Sequence, residues 1–354
     1  MALPELRLPR RAGRRTNLGL LLLLLVAGGT GVLGYTVGTA PATTLVAAAH
    51  GAAGLGLLLL VPWKTVVVRR GRRRAMHTRR DPGVAIALGF TVALTVLTGV
   101  LHAVGLPGPW PVLGGVAALQ VHVAAAIVGA ALLAVHVVGA RQRPRRTDLG
   151  RRELLRTGAL GLGAVALWGG LEGLLRLTGA PGGRRRSTGS HERGTDDPTA
   201  MPVTQWIGDA VPDDRASALE VVWGDSRVRL DADELDRGDE VRATLDCTGG
   251  WYAAQDWRGV RLDRLLAGAL PRGLPDGGSV DVVSATGYRR RLPLSDTAHL
   301  LLATHAAGRP LSPGHGAPVR LVAPGRRGFW WVKWVVRVEV VDAPWWLQSP
   351  FPLQ

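Results

Sequence analysis

Cys247 is the only cysteine among 354 residues, and it lies in the stretch Leu245-Asp-Cys-Thr-Gly-Gly-Trp251. A single thiol makes neither an internal disulfide nor a multi-cysteine metal centre, so it is either a small buried apolar residue or a solitary nucleophile or ligand. It falls at the end of a predicted strand, and Thr248-Gly249-Gly250 follow as a flexible turn where backbone can approach a ligand closely. A thiolate presented this way suits a metal that accepts soft ligands. Further on, His315, Arg320 and Lys333 occur among turn glycines and prolines. Singly each reads as a solvated basic side chain; together, on neighbouring strands, they form a candidate anion-binding cluster. No Gly-x-Ser-x-Gly elbow, His-Glu-x-x-His pair or phosphate loop accompanies them.

The elements that carry these residues divide the chain in two. The formal net charge is +16, yet Lys+Arg and Asp+Glu are equal in number from Pro181 to Gln354, so the excess lies in the N-terminal half. There the basic residues cluster between long apolar runs, the pattern of cytoplasmic membrane loops rather than of a groove for nucleic acid. Five runs are long enough to span a bilayer as helices: Asn17 to Thr39, Thr43 to Trp63, Gly83 to Gly105, Gly114 to Ala140 and Thr157 to Leu177. The first lacks a small-residue cleavage site and reads as retained rather than as a signal peptide.

Arginines set the orientation. Arg7, Arg10, Arg11, Arg14 and Arg15 precede the first run; Lys64, Arg69, Arg70, Arg72, Arg73, Arg74, Arg79 and Arg80 separate the second and third; Arg141, Arg143, Arg145, Arg146, Arg151, Arg152 and Arg156 separate the fourth and fifth. The two other loops carry none. The positive-inside rule then predicts a cytoplasmic N-terminus, a multi-pass membrane protein and an extracytoplasmic C-terminal domain. The motif Gly150-Arg-Arg-Glu-Leu-Leu-Arg156 before an apolar run resembles a twin-arginine signal, the address of proteins exported already folded.

Four histidines fall within the runs: His50, His102, His122 and His136. Ionisable groups at membrane depth are costly and usually functional, and imidazole is a common axial ligand of haem iron. His50 and His122 sit at about the same predicted depth and are the preferred pair for a haem b; His102 and His136 are the alternatives. His136 is about 21 Å along the same helix from His122, a spacing suited to a second haem, although no inner partner is evident. The competing reading is that these histidines bond to backbone or make polar helix contacts.

From Met201 the composition is that of one mainly β, α+β domain. The predicted strands are Val221 to Leu230, Glu240 to Cys247, Ser279 to Ala285, Tyr288 to Leu292, Pro318 to Val322 and Trp331 to Val341. Short helices are expected over Val260 to Ala269 and Ser295 to Ala306. The expected organisation is therefore a basic tail over 1–16, a five-helix transmembrane bundle over 17–178, a linker or surface-laid arm over 179–200, and the second domain over 201–354.

The ordered segments of this second domain resemble the sulfite-oxidase superfamily of molybdopterin-dependent oxidoreductases, in its bacterial membrane-linked form. The matching pieces are Thr188-Gly-Ser-His-Glu-Arg-Gly-Thr195, Pro202-Val-Thr-Gln-Trp206, Leu245-Asp-Cys-Thr-Gly-Gly-Trp251 and Trp257-Arg-Gly-Val-Arg-Leu262. They continue with Ala285-Thr-Gly-Tyr-Arg-Arg-Arg-Leu-Pro-Leu294, His315-Gly-Ala-Pro-Val-Arg320 and Val332-Lys-Trp334. The resemblance implies that Cys247 is the thiolate ligand of molybdenum, with Gly249 beside it. It also implies that His315, Arg320 and Lys333 hold the pterin and its phosphate, and that the chemistry is two-electron oxygen-atom transfer supplied by the cofactor. In one respect the chain departs from the sulfite oxidases proper: Thr248-Gly-Gly-Trp-Tyr252 replaces their basic Ala-Gly-Asn-Arg-Arg continuation, which puts sulfite as substrate in doubt.

The expected partners are the bilayer, a small-molecule substrate, and the quinone pool or a redox protein reached through haem, with no nucleic acid. Two rival readings are a haem-free anchor served by a separate electron carrier, and a non-catalytic membrane interaction protein that kept the fold.

Overall fold

The computed structural model describes residues 12–36, 41–78, 83–109, 115–140, 148, 150–205, 209–213, 218–269, 275 and 277–349. The basic residues Arg7, Arg10, Arg11, Arg79, Arg80, Arg141, Arg143, Arg145 and Arg146, and Trp206 of the entry motif, lie outside them. The chain divides into two compact units, one of helices up to Gly189 and one comprising Ser190–Gln354 with the short stretch Tyr35–Thr39.

The first unit contains helices α1 (Arg14–Thr36), α2 (Ala42–Leu59), α3 (Val61–Thr78), α4 (Gly83–Val104), α5 (Ala118–Ala140) and α6 (Arg151–Leu177). All but α3 are long and apolar enough to cross a membrane. Small residues let them pack closely. A Cβ on Gly56 of α2 would lie 2.9 Å from that of Ala164 on α6, and one on Gly51 would meet the Trp168 ring at 2.2 Å. α4 packs along α5 and α2 along α6.

Helix α3 departs from the sequence expectation. The second run ends at Leu59, and the basic segment expected as a loop continues as helix through Thr78. Arginine is a good helix former, so charge marks where this segment leaves the apolar run without marking where the helix stops.

The second unit is built on two sheets. In one, β1 (His191–Glu192), β5 (Trp251–Arg261), β8 (Leu301–Ala306) and β10 (Arg320–Val322) are neighbours in that order, with β4 (Asp239–Cys247) on β5 and β9 (Arg309–Pro310) on β8. The other runs β3 (Ser226–Asp231), β2 (Ala218–Trp223), β11 (Val335–Val341), β6 (Ser279–Ser284) and β7 (Arg289–Pro293). Trp257, Leu262, Leu265, Leu266, Leu302, Leu321, Val332 and Val338 form its buried centre, and helix α7 (Leu262–Ala269) closes one side.

Three expectations change here. Val221 to Leu230 is a hairpin, β2 and β3, turning at Gly224 with φ 56°. The helix expected over Ser295 to Ala306 is a 3-10 turn, Leu294–His299, followed by strand β8. That strand lies between β5 and β10 and is buried on both faces, so its apolar run shows no alternation and cannot be told from a helix by period. The stretch expected as a linker also joins this unit at its end, where His191 and Glu192 pair in parallel with Trp251 and Tyr252.

Candidate active site

Strand β4 ends at Cys247, directly opposite Trp251 on β5. The connecting turn closes with the Gly250 amide donating to the Cys247 carbonyl at 3.1 Å, and Gly250 adopts φ 85°, which favours glycine. Inside the turn the Gly249 amide donates to the Cys247 sulfur at 3.3 Å. A Cβ on Gly249 would lie 3.5 Å from that sulfur and crowd Thr204 Cγ2 at 3.3 Å. Thr204 accepts a hydrogen bond from the Trp251 indole at 2.9 Å. Burial pushes the Cys247 thiol up, opposed by the Gly249 amide, Thr204, Arg327 and Lys333.

Behind the thiol, Arg327 Nη1 donates to Asp246 Oδ1 at 2.5 Å, and Ser190 Oγ donates to the same oxygen at 2.7 Å. The turn Gly328–Trp330 is thereby held against β4, and a Cβ on Gly328 would sit 3.0 Å from Cys247 Cα.

The basic residues are expected on neighbouring strands, but only Arg320 is on one: His315 lies in a 3-10 turn and Lys333 in the segment before β11. His315 ends a short 3-10 turn, its Nδ1 2.8 Å from Ser312 Oγ, and Gly316 follows at φ 104°. Arg320, only 1% exposed, donates from Nη1 to the His315 carbonyl at 3.0 Å. Its guanidinium lies 5.1 Å from the Trp257 ring centroid and 5.6 Å from that of Trp331. Lys333 Nζ donates to the carbonyls of Gly314 and Thr204 at 2.7 and 2.9 Å. The Cys247 thiolate, when formed, favours the charged states of both Arg320 and Lys333.

Among the described residues no carboxylate forms an ion pair with His315, Arg320 or Lys333, and His315 Nε2 and Arg320 Nε have no partner. Burial lowers all three, His315 to about 4, Lys333 to about 8 and Arg320 to about 10. Buried donors left without an acceptor fit an anionic group, and the thiol beside them fits a soft metal. The donor set therefore suits a molybdenum-bearing pterin with a phosphate. Thr204, Asp246 and Arg327 are not distinguished individually by the sequence, although Thr204 and Asp246 lie within the family-like motifs.

In the first unit, the structure brings together His50 on α2 and His122 on α5, with ring centroids 5.8 Å apart at 73°. His50 Nδ1 is 2.9 Å from the Ala27 carbonyl and His122 Nδ1 is 2.8 Å from that of Thr95. A bond to a carbonyl requires the proton on Nδ1, which leaves the Nε2 lone pair free to bind a metal. Two metal–nitrogen bonds of about 2 Å each, with the two ring radii, come to about 6 Å between centroids. Gly31 and Gly99 make room for the rings: a Cβ there would lie 3.2 Å from His50 Cε1 and 2.9 Å from His122 Nδ1. His102 is elsewhere, its Nε2 2.9 Å from the Gly189 carbonyl, and His136 lies farther along α5.

The two-sheet domain thus carries one thiol near the buried basic side chains of Arg320 and Lys333. Residues 210–347 match the model of the oxidoreductase molybdopterin binding domain. Among relatives, a rice (Oryza sativa subsp. japonica) nitrate reductase [NADH] is 33% identical over 33% of this chain and 16% of its own length. The protein-methionine-sulfoxide reductase catalytic subunit of Xanthomonas campestris pv. campestris is 32% identical over 32% of this chain and 41% of its own. The chain thus spans less than half the length of these relatives. The sulfane dehydrogenase SoxCD of Paracoccus pantotrophus is 27% identical in structural alignment, with TM-score 0.33, over 36% of this chain and 39% of that one.

Proposed function

We propose that this protein is a membrane-anchored molybdopterin-dependent oxidoreductase that performs two-electron oxygen-atom transfer on the extracytoplasmic face. The observation that carries this reading is the placement of Cys247 near two buried cations, Arg320 and Lys333, that form no ion pair with a carboxylate among the described residues, with the buried imidazole of His315 beside them.

In this reading Cys247 binds molybdenum through its sulfur, and the Gly249 amide fixes the direction of the sulfur lone pairs. Arg320, beside the edge-on pair of Trp257 and Trp331, would hold the pterin phosphate together with Lys333 and His315. The Asp246–Arg327 pair keeps the Gly328 turn against the strand so that the thiol stays in register. When bound, the cofactor supplies oxygen-atom exchange coupled to a two-electron change at the metal. The protein's own part is to hold, orient and keep water from the site.

A haem b would be held between His50 and His122, His102 being engaged with the Gly189 carbonyl, and would supply the route for electrons to the quinone pool or a redox protein. Arg151 and Arg152 open α6, where they form the export signal that a domain loaded in the cytoplasm needs.

Two of the matched relatives are named as reductases, of nitrate and of protein methionine sulfoxide. Thr248-Gly-Gly-Trp251 carries no basic residue, so a cation for any anionic substrate would come from elsewhere in the fold. The test is reduction and reoxidation of the purified, molybdenum-loaded protein against sulfoxides, N-oxides, nitrate, chlorate and sulfite. Turnover with at least one oxygen donor is expected; inertness toward all of them overturns the proposal.

A further inference from the structure

Three consecutive arginines occupy β7 and meet three different surroundings. Arg289 is exposed, and Arg291 makes a two-pronged pair with Asp281 at 2.7 and 2.8 Å. Arg290, between them, points inward and is 1% exposed. Its Nη1 donates to the Ser349 carbonyl at 3.1 Å, its Nε has no partner, and no carboxylate pairs with it among the described residues. Arg326, whose charge acts on Arg290, has the same sign and is paired with Asp296 at 2.5 Å.

A guanidinium does not shed its proton, so this buried charge needs an anion. Aromatic faces attract it without neutralising it: Trp330 lies 4.4 Å and Phe329 5.2 Å from Arg290 Cζ. Those rings belong to the turn whose first residue, Gly328, abuts the Cys247 backbone. Tyr288, two positions before Arg290, donates its hydroxyl to the Phe329 carbonyl. One short turn therefore has the thiol at one end and an uncompensated cation in an aromatic frame at the other. Arg320 and Lys333, the cations assigned to the cofactor phosphate, do not contribute to this cluster.

We propose that Arg290 is a specificity-determining residue that receives the anionic group, a carboxylate or oxyanion, of the substrate, with Phe329 and Trp330 contacting its apolar part. This rests on the molybdoenzyme reading of the same site. It selects anionic oxygen donors or acceptors over neutral ones of the same size.

The experiment uses full-length, molybdenum-loaded protein, in which the cofactor already occupies Arg320 and Lys333, and titrates inorganic sulfate at constant ionic strength. Binding is read by isothermal titration calorimetry, and turnover kinetics are run in parallel. Saturable sulfate binding is expected, weakened about tenfold or more by Arg290→Met, partly restored in Arg290→Lys, and unaffected by Arg337→Met on the exposed sheet. Sulfate is expected to raise KM without lowering kcat.

Sulfate binding that is absent, or unchanged in Arg290→Met, overturns the assignment; if that variant does not fold, wild-type affinity in Arg290→Gln overturns it equally. Sulfate that lowers kcat alone marks a regulatory anion and overturns the substrate role. Arg290-dependent binding in a protein that proves inactive and free of molybdenum defeats the enzyme reading instead, so the two failures are distinguishable.

Discussion

Asp246 and Arg327, 81 residues apart, form a buried ion pair immediately behind the Cys247 thiol. It ties the end of β4 to the Gly328 turn, so the strand that ends at Cys247 and that turn are held together. Removing one partner leaves the other charge buried alone, at a cost of about 3–5 kcal/mol. Asp246→Ala should lower the unfolding midpoint of the second unit sharply, and Asp246→Ala/Arg327→Met should recover part of the loss. Additive losses in the double variant would contradict this coupling.

His315 gives the cofactor-free domain a pH dependence. Burial holds its folded value at about 4 against 6.5 for the free side chain. Between these values the unfolded chain binds a proton that the folded one refuses, so stability rises with pH through this window and is lost as pH falls toward 4. His315→Gln should flatten the slope of unfolding free energy between pH 4 and 6.5. An unchanged slope would show that the folded imidazole titrates normally.

The pairing of His50 with His122 predicts a spectroscopic result. An oxidised-minus-reduced spectrum of the membrane protein should show a b-type band that His50→Leu and His122→Leu each abolish and His102→Leu leaves in place. Gly99→Val should also weaken it, because a Cβ at that position already reaches within 2.9 Å of His122 Nδ1. Absence of the band in wild type would remove haem and favour an anchor served by a separate carrier.

Export provides a fourth test. Arg151→Lys/Arg152→Lys should leave the preceding helices inserted while stranding the second domain in the cytoplasm, as read by protease accessibility from outside. Normal exposure of the domain would contradict the signal.

What the sequence discloses follows from how local each feature is. Cys247 at a strand end before a glycine turn is a local pattern, and β4 is one residue longer than expected, beginning at Asp239. Strand β5 was not among the expected strands, although Trp251, Ala253, Gln255 and Trp257 are buried on alternate positions. Its buried face mixes glutamine and alanine with tryptophan, so the alternation is one of burial more than of hydrophobicity. Strand β8 is illegible for a different reason, because burial on both faces erases the period. The roles of Arg327 and Arg290 depend on partners across the fold: Asp246 for one, and for the other the lack of any carboxylate among the described residues. Three arginines in a row read the same in sequence, and only the pleat of β7 separates the buried one from its neighbours.

The most direct measurement of the central claim is the molybdenum and pterin content of purified, folded protein and of its Cys247→Ala variant. The account predicts one molybdenum per wild-type chain. In the variant the pterin is retained through His315, Arg320 and Lys333 while oxygen-atom transfer is lost. A wild-type protein that folds without molybdenum, or a Cys247→Ala variant with undiminished activity, would contradict it.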